Sequence, residues 1–123
     1  MRKLLLDSSF LISVAREKID LFENLQEYEI LVPEQVIEET FKISQKGESK
    51  SDKDAAQLAL NLLYEHRKQI QRIDIGEGHT DNNIIKLAEQ DKSIIVATLD
   101  KEIRNQLKGR CLIFREKNKF EVI

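Results

Sequence analysis

Short apolar runs alternate along this chain with stretches of helical period, and that alternation restricts the fold more than any other feature. Lys3–Leu6 reads as a buried strand, and Phe10, Leu11, Val14 and Ala15 follow at helical spacing behind Ser8 or Ser9 as a cap. Ile19–Leu25 is a second helical piece and Tyr28–Val32 a second strand, after which Pro33 stands where a helix begins. That helix carries Val36, Ile37, Thr40, Phe41 and Ile43 on one arc. Gln45–Ser51 is polar and reads as a loop, with Asp52 capping a longer helix whose apolar side holds Ala55, Ala56, Leu58, Ala59, Leu62 and Leu63. Ile70–Ile75 predicts a short strand near a sheet edge, and Thr80 caps a helix through Ile84, Ile85, Leu87 and Ala88. Ser93–Thr98 is a strand, Lys101–Lys108 a helix that Gly109 ends, and Cys111–Phe114 and Phe120–Ile123 are short final strands. Strands interleaved with helices predict an α/β fold around a largely parallel sheet. At 123 residues the chain fits a single domain, 1–123.

The bulk properties exclude several function classes. One cysteine, Cys111, rules out an internal disulfide and any Cys-rich zinc site, and it suits a reducing compartment. Leu4–Leu6 is too short for a signal peptide, and no stretch approaches the ~20 apolar residues of a membrane span. A cytoplasmic protein is expected. The net charge of −2 hides an asymmetry: residues 101–123 hold 7 Lys and Arg against 3 Asp and Glu, on an otherwise acidic body. A basic tail region is a mild pointer to a polyanionic partner. No Walker-type loop is present, and Gly76-Glu77-Gly78 lacks the third glycine of a dinucleotide fingerprint.

Two apolar runs end alike: Leu4-Leu5-Leu6 leads to Asp7, and Ile94-Ile95-Val96-Ala97-Thr98-Leu99 leads to Asp100. In an open α/β sheet, functional groups gather beyond the carboxyl ends of the strands, so two such strands place two carboxylates on one edge. Asp81 opens a helix on that same edge. On the helix after Pro33, Glu38 and Glu39 flank the apolar arc, and Glu39 lies closer to it, beside Ile43. Each Asp taken singly is explained as a helix cap. The two strand-end acids sharing an edge are less easily explained so. Crowded carboxylates repel one another, and a hard divalent cation such as Mg²⁺ or Mn²⁺ removes that penalty. One or two such ions activate water and neutralise developing charge in phosphodiester hydrolysis.

The same segments resemble the PIN-domain family. Leu4-Leu5-Leu6-Asp7-Ser8-Ser9-Phe10-Leu11-Ile12 is similar to its opening motif, and Val32-Pro33-Glu34-Gln35-Val36-Ile37-Glu38-Glu39 to its second, whose last Glu is the acidic ligand. His79-Thr80-Asp81-Asn82-Asn83-Ile84-Ile85 resembles the third, and Val96-Ala97-Thr98-Leu99-Asp100-Lys101-Glu102-Ile103 the fourth. The resemblance implies a three-layer α/β/α sandwich with a central, mostly parallel sheet. It also implies Mg²⁺- or Mn²⁺-dependent endoribonuclease activity and a homodimer. Asp7, Glu39, Asp81 and Asp100 stand at the catalytic, metal-ligating positions, with Ser9 and Thr98 as supporting polar residues. Two branches compete: toxins of the VapC type, held inactive by an antitoxin, and relatives of the small-subunit pre-rRNA cleavage nucleases, which work with ribosome-assembly partners. Val-Pro-x-x-Val-Ile-x-Glu, Ala-Thr-x-Asp-Lys and the basic Arg104–Lys119 tail lean toward the second. Ser9 departs from a common Asn, and Asn82 and Asn83 stand where a further Asp is frequent.

Lys101, Arg104 and Lys108 fall at i, i+3 and i+7 and share a helix face beside Asp100, where they can hold an RNA backbone. Ser8 and Ser9 read as caps, His79 as a polar loop residue, His66 as a helix-end residue and Cys111 as core. A catalytically silent module of the same fold, binding RNA or a protein, is the main alternative, and the presence of all four acids argues against it. An aspartyl phosphotransferase needs a second Asp where Ser9 stands.

Overall fold

The computed structural model describes residues 2–116 and 119–123; Lys117, counted in the basic tail above, lies outside them. Twelve elements follow one another: β1 (Arg2–Leu6), α1 (Ser8–Arg16), α2 (Leu21–Asn24), β2 (Tyr28–Pro33), α3 (Glu34–Lys46), α4 (Lys50–Glu65), β3 (Ile70–Ile73), α5 (Thr80–Gln90), β4 (Ile94–Ala97), α6 (Lys101–Gln106), β5 (Cys111–Glu116) and β6 (Lys119–Val122). They form a six-stranded sheet of order β3-β2-β1-β4-β5-β6, parallel except for β6, which pairs antiparallel with β5.

The order dictates where a site can form. From β1 the chain steps outward to β2 and then β3, crosses back, and lays β4 on the other side of β1. Right-handed crossovers therefore put α1 to α4 on one face of the sheet and α5 and α6 on the other. The packing agrees, with α1, α3 and α4 against one another and α5 against β4 and α6. This is the expected α/β/α sandwich. β1 is central and covered on both faces, which is why Leu4, Leu5 and Leu6 form an uninterrupted apolar run with no exposed surface. The strand order reverses between β1 and β4, and the helices leaving those two strands part to opposite faces. That parting opens a crevice at their carboxyl ends.

Several local readings of the sequence need correction. α3 runs to Lys46 and α4 begins at Lys50, so the polar loop shrinks to a short turn. Ser49, not Asp52, caps α4: its hydroxyl accepts from the Asp52 N–H, while the Asp52 carboxylate takes Arg16 at 2.6 Å. Polar residues on the outer face of a helical hairpin look like loop residues because nothing apolar is needed there. Phe41 and Leu58, placed on apolar arcs, are 55% and 37% exposed, beyond what their partner helices cover. Asp7 is the N-cap of α1, and Ser8 and Ser9 lie inside the helix. Thr80 is the first residue of α5, and the cap position belongs to His79, which makes no side-chain capping bond. α6 stops at Gln106, so Lys108 sits in the following turn, where Gly109 takes φ +82°. Cys111 is buried core, and burial pushes its thiol pKa up.

Candidate active site

Asp7 is the most constrained acid. It follows β1 directly, and its N–H is held by the Ala97 carbonyl of β4 at 3.0 Å, so the backbone is locked to the neighbouring strand before the side chain is considered. The residue is 4% exposed. Burying such a charge requires partners, and three are present. Ser8 N–H donates to Oδ1 at 2.8 Å; Ser9 Oγ and Thr98 Oγ1 donate to Oδ2 at 2.9 and 2.6 Å. Each hydroxyl also accepts from the backbone beyond β4: Ser9 Oγ from Leu99 N–H at 3.2 Å and Thr98 Oγ1 from Asp100 N–H at 3.0 Å. Ser9 and Thr98, expected as supporting polar residues, thus join the end of β1 to the loop that carries Asp100.

Asp100 caps α6, its Oδ1 accepting from Glu102 N–H at 2.8 Å. Glu39 comes from the opposite layer, on the exposed side of α3, and is tied to the site among the described residues by one hydrogen bond: Ser8 Oγ donates to its Oε1 at 3.0 Å. Glu38 and Glu39 both line a groove of about 530 Å³, with Gln35, Lys42, Asp74 and residues of the 76–80 loop. Two amides brace that loop. Gln35 Nε2 donates to Asp74 Oδ1 at 2.7 Å, and Asn83 Nδ2 donates to the Glu77 carbonyl at 2.9 Å. With the Gly76 N–H, Gln35 holds the Asp74 carboxyl below the usual range. In the sequence Asn83 is marked only as a departure from a frequent Asp and Gln35 has no role; the bracing contacts, to the Asp74 carboxylate and the Glu77 carbonyl, appear only in the fold.

Asp81, in the first turn of α5, is treated differently. No hydrogen bond among the described residues relieves it, and its pKa is raised. Burial is the largest cause, followed by the charges of Asp7 and Asp100; Glu39 adds to these, and His79 opposes them. All four acids predicted from the sequence therefore share one electrostatic neighbourhood at the switch point between β1 and β4. The link from α5 into β4 is itself fixed by Arg110, whose Nη2 donates to the carbonyls of Ala88, Asp91 and Ile94. Lys101, Arg104 and Lys108 are brought together with Asn105 and Gly109 along a separate cleft of about 330 Å³ on the α6 side.

A profile described as "PIN like domain" matches residues 4–114. The chain belongs to the PIN-like domain family. Among individual proteins it is similar to Ribonuclease VapC4 of Methanocaldococcus jannaschii, 28% identical over 130 residues that cover 99% of this chain and 97% of that one. Its fold matches the PIN domain endonuclease Utp24 with a TM-score of 0.76 at 21% identity, over 98% of this chain and 90% of the other. PAE2754 from Pyrobaculum aerophilum matches with a TM-score of 0.58 at 16% identity, over 89% and 83%.

The donor chemistry of this PIN-like site suits a hard divalent cation. All four candidate ligands are carboxylates, and Asp81 is raised first by burial and then by the charges of Asp7 and Asp100. Among the described residues no three carboxylate, imidazole or thiolate groups already close around a single point. The acids are gathered but not drawn in.

Proposed function

We propose that this PIN-like protein is a Mg²⁺- or Mn²⁺-dependent endoribonuclease that hydrolyses RNA phosphodiester bonds, using Asp7, Glu39, Asp81 and Asp100 as ligands for one or two ions. The observation that carries the reading is the gathering of four carboxylates at one crevice, where Asp81 is raised first by burial and then by the charges of Asp7, Asp100 and Glu39. Unrelieved carboxylate repulsion is a poor way to build a stable fold and a ready way to hold a cation. The ions, when bound, supply charge neutralisation and an activated water. The protein's part is to hold the acids: Asp7 rigidly through Ser8, Ser9 and Thr98, and Asp100 through the backbone of α6. The VapC4 likeness supports RNA as substrate. Lys101, Arg104 and Lys108 line a cleft that suits the RNA backbone, with loss of affinity at higher salt as contacts are screened. A homodimer, an antitoxin or ribosome-assembly partner, and a cytoplasmic location belong to this same proposal; no helix among the described residues is long and apolar enough to cross a membrane.

Cleavage of a labelled RNA containing structured and single-stranded segments, with Mn²⁺, Mg²⁺ or EDTA, tests it. Metal-dependent endonucleolytic products from the wild type and none from Asp7→Asn are expected. Retention of RNA by the folded protein with no cleavage under any metal would overturn the nuclease reading in favour of a silent binding module.

A further inference from the structure

Glu39 differs from the other three acids in its mounting. Asp7 and Asp100 follow strands, and Asp81 has only a short side chain between its carboxylate and the first turn of α5. Glu39 is on the exposed side of a helix from the opposite layer, with one more rotatable bond. Left alone, such a side chain samples several rotamers and loses that freedom on binding an ion. A single contact counters this: the hydroxyl of Ser8, 6% exposed, donates to Glu39 Oε1 at 3.0 Å. The same residue's N–H donates to Asp7 Oδ1 at 2.8 Å. Ser8 is thus clasped between two acids on two different elements. Its single hydroxyl proton is committed to Oε1 of Glu39, and Oε2 has no hydrogen-bond partner among the described residues.

We infer that Ser8 is a positioning residue that sets Glu39 for cation binding. This rests on the metal-dependent reading above. The hydroxyl touches no substrate; it acts through Glu39, as hydrogen-bond partners of metal-ligating carboxylates do, and loss of such partners typically weakens metal affinity by about 10–100-fold. The N-cap bond to Asp7 uses the backbone of residue 8, which Ala retains, and Ala suits a helix at least as well as Ser. Ser8→Ala therefore separates positioning from folding.

The test is Mn²⁺ binding by titration calorimetry on the wild type, Ser8→Ala, Ser8→Thr, Glu39→Ala and the Ser8→Ala/Glu39→Ala double variant, each with its metal-free melting curve. About tenfold weaker binding is expected in Ser8→Ala, with a cooperative melt close to that of the wild type. Ser8→Thr should recover most of the loss. The double variant should bind no more weakly than Glu39→Ala alone, since the hydroxyl has no other route to the ion. Losses that add in the double variant, or Mn²⁺ binding in Ser8→Ala equal to the wild type, would overturn the role of Ser8 and leave the metal site standing. A wild type that binds no Mn²⁺ would overturn the metal-dependent reading itself, and this inference with it.

Discussion

The end of β1 and the start of α5 each present an aspartate to the same crevice, and the protein treats the two in opposite ways. Asp7 is almost fully buried and receives one backbone and two hydroxyl hydrogen bonds. Asp81 is only partly buried, receives none among the described residues, and carries a raised pKa. Burial alone would predict the reverse strain. The difference lies in donors: the fold supplies three to the acid that it buries and, among the described residues, none to the other. A stability account and a function account thus divide between two side chains of one chemistry.

The largest effect should come from the satisfied acid. Asp7→Ala removes the cap of α1 and strands the Ser9 and Thr98 hydroxyls, and it is expected to cost about 2–4 kcal/mol in urea unfolding. A cost under ~1 kcal/mol would break the comparison, because Asp7 would then hold no more of the fold than a surface acid. Thr98→Val keeps the shape of a wholly buried residue while removing one donor to Asp7 and one acceptor for Asp100 N–H. It is expected to cost about 1–3 kcal/mol by the same measurement.

The unsatisfied acid should move stability the other way. With EDTA present, Asp81→Asn should raise the melting temperature at pH 7 by a small amount, since solvent screens much of the repulsion on this partly exposed acid. Because Asp81's folded pKa lies above its ordinary value of 3.8, the protonated form is the better tolerated one. Its contribution is complete below about pH 4 and is lost as pH rises through the elevated range, so the advantage of Asn should fade on acidification. A melting temperature that falls in Asp81→Asn at pH 7 would contradict the repulsion.

Asp91, at the opposite ends of the strands, supplies a control of the other sign. Its carboxylate accepts from the hydroxyl and N–H of Ser93 and pairs with Lys3 at 3.0 Å, which holds its pKa at about 2. Asp91→Asn should lower stability slightly at neutral pH. That deficit should persist above the ordinary carboxylate range and vanish as pH falls through about 2. Melting curves of both variants from pH 7 downward should therefore converge on the wild type from opposite sides.

Much of this was readable without coordinates, and the reason is the central strand. Covered on both faces, β1 has to be apolar until it leaves the sheet, so the abrupt Asp7 announces both the strand's end and a polar crevice; β4 and Asp100 repeat the pattern. Helical phase favours Glu39 over Glu38; in the fold Glu39 accepts from Ser8, and both residues line the neighbouring groove. What stayed hidden depends on contacts between distant segments. Ser8 reads as a cap because serine at a helix start ordinarily is one, and only the packing of α3 on α1 brings Glu39 to its hydroxyl. Arg110 reads as a member of a basic tail, yet its guanidinium turns inward to three carbonyls. The reach of α4 back to Lys50 was obscured because the outer face of a helical hairpin carries the same Ser, Lys and Glu as a loop.

The claim that these acids form one cation site is tested most directly by melting the wild type and Asp81→Asn side by side, first in EDTA and then in saturating Mn²⁺. Binding to the folded state alone stabilises by about 2.7 kcal/mol at a hundred times the dissociation constant. The account predicts that Asp81→Asn melts higher in EDTA, that Mn²⁺ raises the wild type and leaves Asp81→Asn nearly unmoved, and that their order inverts. Equal Mn²⁺ shifts in the two proteins, or none in either, would contradict it.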